Sequence, residues 1–101
     1  MLGVALAVAT ACGHPFDAGR WREGDALVRG RMADEIISSR ILVGKTHSEV
    51  VNLLGQAEYD APSQLSYTID LRTKASDPAY LRDLIVRFDE HGEAQDSYVD
   101  W

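Results

Sequence analysis

The chain has 101 residues and a mass of 11.1 kDa, which is room for one domain. A chain of this size buries roughly 65% of its extended surface on folding, enough for a single small core without disulfides. Ten Lys and Arg stand against sixteen Asp and Glu, a net charge of -6, and this disfavours general nucleic-acid binding, whose phosphate contacts require a basic face.

Residues 1–11 carry no charged side chain and end in Ala9-Thr10-Ala11, directly before Cys12. A permanent membrane-spanning helix needs about 20 apolar residues, so this stretch has the length of a signal-peptide core rather than of an anchor. Small residues suit the cleavage position, because a peptidase threads extended backbone through a narrow site. Cys12 is the only cysteine, so no disulfide can form within one chain. The alternative is an apolar N-terminal helix packed on the domain, with Cys12 a small buried hydrophobe. Residues 12–24 hold Pro15, Gly19 and alternating charges without periodicity. They read as a linker whose Phe16 and Trp21 can anchor onto a domain spanning residues 25–101.

Asp25 is placed to cap a helix. After it Val28, Met32 and Ile36 recur every fourth residue, with Ile37 and Ile41 in the adjoining row, so the spacing predicts a helix over 26–42 ended by Gly44. Thr46-His47-Ser48-Glu49 has the form of a capping box, followed by Val50, Val51, Leu53, Leu54 and the stop residue Gly55. The period then changes to two. Leu65, Tyr67, Ile69 and Leu71 alternate with polar residues, and Leu84, Val86 and Phe88 share one face with Asp83, Ile85 and Arg87 opposite, so that Ile85 makes the outer face of the sheet partly apolar. A tight turn at Asp89-Glu90-His91-Gly92 leads into a last strand over 93–101. The expected fold is α+β: two helices packed on a three-stranded antiparallel meander, a two-layer sandwich.

In this order the chain resembles the small outer-membrane-assembly lipoprotein family (the SmpA/OmlA or BamE type). The resemblance rests on Arg31-Met32 in the first helix and on Leu42-Val-Gly-Lys-Thr-His-Ser-Glu-Val-Val-Asn-Leu-Leu-Gly55. It rests also on Leu65-Ser-Tyr67 and on Leu84-Ile-Val-Arg-Phe-Asp-Glu-His-Gly92. It spans about residues 24–100. The charge-free start, small residues and Cys12-Gly13 likewise resemble a bacterial lipoprotein signal, which implies cleavage before Cys12 and lipid on its thiol. The family implies a non-catalytic protein of the bacterial envelope, facing the periplasm from the outer membrane. Its partner would be an envelope protein, such as a component of the machinery that inserts β-barrels. A soluble periplasmic binding or inhibitor module of the same layout, not lipidated, is the alternative.

No enzyme chemistry is expected, and no cofactor, metal or nucleic acid. His14, His47 and His91 lack ligand spacing. Asp89, Glu90, Glu93, Asp96 and Asp100 lack the alternating oxygen pattern around a glycine that calcium loops use, and read instead as a solvated acidic edge. Arg20, Arg22, Arg29, Arg31, Arg40 and Lys45 concentrate base before residue 46. The expected partner contacts are Arg29 and Arg31 from this set, together with Trp101 at the end of the last strand.

Overall fold

The computed structural model describes residues 16–100. Residues 1–11, Cys12 and Trp101, which carry the anchor and one expected partner contact, lie outside the described residues, as does His14.

Among the described residues three helices come first: α1 (Ala18–Glu23), α2 (Ala26–Ser39) and α3 (His47–Leu54). Four strands follow, β1 (Tyr59–Ala61), β2 (Gln64–Asp70), β3 (Leu81–Phe88) and β4 (Ala94–Asp100), joined in sequence order into one antiparallel sheet. The class is α+β, as the change of period implies. The expected count of two helices and three strands is corrected to three and four among the described residues. Both missed elements are too short to show a period. α1 has six residues and a single buried side chain, Trp21; β1 has three residues, of which none is buried.

The caps form where sequence chemistry places them. The Asp25 carboxylate accepts from the Val28 amide at 3.1 Å. The Thr46 hydroxyl accepts from the Glu49 amide at 3.2 Å, while the Glu49 carboxylate accepts from the Thr46 amide at 2.8 Å. α2 ends at Ser39 rather than at residue 42. Arg40 takes the left-handed conformation (φ 56°), and its amide bonds the Ile37 carbonyl. The Ser39 hydroxyl also turns back to the Glu35 carbonyl at 2.6 Å, the local competition that disfavours serine in helix interiors. Stopping there lets the chain fold inward, so Leu42 is buried without being helical. Gly44 (φ 87°) then redirects the backbone so that its amide meets the Ala94 carbonyl at 2.8 Å. That bond ties the α2–α3 turn to the start of β4.

Leu65, Tyr67 and Ile69 of β2 and Leu84, Val86 and Phe88 of β3 form one face with Trp21, Met32, Ile36, Leu42, Val50 and Leu54 from the helical side. At about 25 cal/mol per Å² of apolar surface, this face supplies most of the drive to fold. Within residues 16–24, Phe16 and Trp21 pack onto the domain, the anchoring that the sequence implies. Trp21 is fully buried, its ring edge-on to Tyr67 with centroids 5.8 Å apart. Arg29 Nε donates to the Trp21 carbonyl at 2.9 Å with its guanidinium over the indole, and Arg22 donates to the Leu53 carbonyl at 3.2 Å. These bonds hold a helix that six residues could not sustain alone.

Gly30 sits in the middle of α2, where glycine costs about 1 kcal/mol relative to alanine. The helix crosses the end of β2 there, and a Cβ on Gly30 would overlap the Asp70 carbonyl. The missing side chain is the condition for the approach.

Candidate interaction surface

Alternation along the strands sends one set of side chains to the helices and the other to a face that no described element covers. The strand register arranges this second set in rows. Tyr59, Ser66, Ile85 and Tyr98 lie side by side across all four strands; Gln64, Arg87 and Asp96 form the next row, and Thr68, Asp83 and Asp100 another. In the first row Ser66 and Ile85 are each only 5% exposed, whereas Tyr59 and Tyr98 at the ends are 56% and 41% exposed. Ile85 is buried without joining the helix-side core. Leu81, 52% exposed, adds apolar area at the far end of β3.

Charge on this face is unevenly compensated. Arg87 grips Asp96 with two bonds, Nε to Oδ1 at 3.0 Å and Nη2 to Oδ2 at 2.6 Å. The hydrogen bonds hold the Asp96 carboxyl below the usual range and push the Arg87 guanidinium up. The same guanidinium lies 5.7 Å from the Tyr98 ring centre, a cation–π contact that orients the tyrosine. Asp83 and Asp100, by contrast, are direct cross-strand neighbours, and among the described residues neither has a cation partner. Like charges placed opposite each other weaken a sheet.

The helix side presents an open groove of about 890 Å³ between α2 and the end of β2, lined in part by Arg31, Asp34, Glu35, Ser38, Arg72 and Thr73. Its charges are of both signs, and its strongest pair is already engaged. The Asp70 carboxylate, 2% exposed, accepts from Arg72 Nε at 2.8 Å and from the amides of Arg72 and Tyr80 at 3.0 Å each. The Arg72 side chain foremost, then these amides, hold the Asp70 carboxyl down at about 2. This cluster fixes the β2–β3 connection.

Of the expected contacts, Arg31 stands exposed on the groove. Arg29 is turned inward, bonded to Trp21 and 4.0 Å from Glu58, with its side chain 15% exposed. The two arginines are therefore not brought together into one basic patch. His47 lies 2.8 Å from Asp60 and against the Phe88 ring, pinning β1 to the start of α3, while His91 sits in the exposed hairpin turn. Among the described residues no group of three or more His, Cys, Asp or Glu is arranged to hold a metal ion, and no helix is long and apolar enough to cross a membrane. The buried tyrosine Tyr67 donates to the Gly55 carbonyl at 2.8 Å, and burial foremost, then the nearby Asp60 carboxylate, pushes its phenol up.

Sequence reasoning singled out Ile85 as apolar on the outer face but missed Tyr59 and Tyr98 as its flanks. That row exists only through the pairing register, and β1 has no alternation of its own to announce it. Comparison of the chain with protein-family models, with curated proteins and with solved structures finds no match.

Proposed function

We propose that this chain is a lipid-anchored protein of the bacterial envelope that acts by binding another protein through the uncovered face of its sheet. The supporting observation is the row Tyr59–Ser66–Ile85–Tyr98, in which buried apolar and small residues are framed by two half-exposed tyrosines. Aromatic residues around a desolvated centre are what protein interfaces use for affinity, since they offer large area at little conformational cost. An open four-stranded face suits a macromolecular partner better than a small ligand, which needs enclosure. Anchorage is supported by the charge-free residues 1–11 before Cys12, with two or more acyl chains required for stable membrane attachment. The motif resemblance favours a partner in outer-membrane assembly, with Arg31 on the groove side as a secondary contact.

The test is expression with the native N-terminus in a Gram-negative host, carrying a photo-crosslinking phenylalanine in place of Tyr59 or Tyr98. Intact mass is expected to show loss of residues 1–11 with lipid added at Cys12, and crosslinks from both positions to one envelope protein. The same label in place of Val43, exposed elsewhere, is expected to give none. An unprocessed soluble chain rejects the anchor in favour of a soluble periplasmic module, and crosslinks from Val43 alone reject the face.

A further inference from the structure

β4 is the long free edge of the sheet. It pairs with β3 on one side; on the other, only its first residue is engaged, Ala94 exchanging bonds with Gly44 and Lys45 at 2.8 and 2.7 Å. Beyond Ala94, no backbone group of β4 bonds outside the β3–β4 ladder among the described residues. The opposite edge, β1, is three residues long. The register shift at Arg87 and Phe88 confines irregularity to the start of β4, so residues 96–100 form a regular stretch. An exposed edge of this kind is a template for a further strand unless something opposes it.

We propose that this edge accepts an added strand from a partner polypeptide, one that sets an apolar side chain beside Tyr98 and a Lys or Arg beside Asp100. The proposal rests on the protein-binding reading above and names the chemistry of the partner segment. Charge decides the occupant. A second copy of this chain brings its own Asp96 and Asp100 to the seam. Residues facing outward on β4 are Asp96, Tyr98 and Asp100, so every antiparallel register that keeps the faces aligned places an Asp opposite or diagonal to an Asp of the other copy. The net charge of -6 works in the same direction. A basic residue beside Asp100 does the reverse. Its long side chain lies within reach of both members of the uncompensated Asp83–Asp100 pair, and it removes a repulsion the isolated sheet carries. Asp96 asks less of a partner, since Arg87 already holds it. Main-chain hydrogen bonds then provide affinity and the two side-chain positions provide selection, which is the logic of strand addition.

The probe is a capped heptapeptide, Thr-Arg-Thr-Val-Thr-Arg-Thr, whose two arginines serve either strand direction, added to the full chain. Hydrogen exchange at Gln95–Asp100 is expected to slow about tenfold or more at saturation, with the helices unchanged. A peptide with Glu for both Arg, and one N-methylated on the bonding edge, are expected to give no slowing; both leave the protein untouched. Replacing Asp83 and Asp100 together by Asn is expected to weaken binding by about fivefold, in line with one cross-strand charge pair. No slowing at β4 with the arginine peptide, or equal slowing with the glutamate peptide, overturns the proposal. If instead crosslinks from Tyr59 and Tyr98 identify an envelope partner while β4 amides in that complex exchange as freely as before, strand addition fails and the protein-binding reading stands.

Discussion

Replacing Gly30 by Ala sets two ordinary rules against each other. In an exposed helix interior the change stabilises by about 1 kcal/mol through propensity alone. At this position the new Cβ falls onto the Asp70 carbonyl. That carbonyl cannot retreat easily, because Asp70 is paired with Leu81 in the sheet and its side chain is held by Arg72 and the Tyr80 amide. α2 must therefore lift away from β2, loosening Met32, Ala33 and Ile36, all buried beneath it. Overpacking of this kind costs about 1–3 kcal/mol, and contact with immobile backbone places it at the upper end. Less the propensity gain, the expected net loss is about 2 kcal/mol. With a urea dependence near the low end for a small domain, the unfolding midpoint should fall by about 1 M or more. The assay is equilibrium urea unfolding followed by far-ultraviolet circular dichroism. Gly19→Ala supplies the internal control: among the described residues a Cβ there meets only Asp17 Oδ1 at 3.4 Å, so that variant is expected to match or exceed the parent. A Gly30→Ala midpoint equal to or above the parent would refute the reasoning, since it would mean that helix and strand do not approach as closely as described.

Ile69→Ala is expected to cost about 2–5 kcal/mol as a fully buried truncation, whereas Thr68→Ala on the uncovered face should stay within about 0.5 kcal/mol; equal losses in urea unfolding would place the core on both faces. Asp70, whose folded carboxyl is held at about 2 against about 3.9 unfolded, contributes stability that is present above the unfolded value and lost as pH falls through that window toward 2. Thermal unfolding between pH 1.5 and 6 should therefore show the gap between parent and Asp70→Asn closing in acid, and a gap that does not change with pH would be inconsistent with an ionised, Arg72-bonded carboxylate. Trp21→Ala is expected to cost about 3–5 kcal/mol and to expose the α1 segment to proteolysis; retention of full stability would show that α1 is no part of the core.

Much of the fold was legible because its signals are local. Asp25, Thr46 with Glu49, and Gly55 announce helix ends through bonds spanning three or four residues, and these caps form as read. The alternation from Leu65 to Ile69 marks the strand and its buried face for the same reason: a pleat repeats every two residues whatever lies across from it. What only the tertiary structure decided depends on distance in space. α1 exists because Arg29 from the next helix and Tyr67, far along the chain, receive Trp21. β1 exists because β2 offers an edge to three residues with no pattern of their own. α2 stops at Ser39 although its apolar spacing continues to Ile41, since Leu42 has a place in the core that a continuing helix would miss. The row Tyr59–Ser66–Ile85–Tyr98 and the pair Asp83–Asp100 likewise come from register. A shift of one residue would scatter both, and register is set by the buried face that the surface residues do not share.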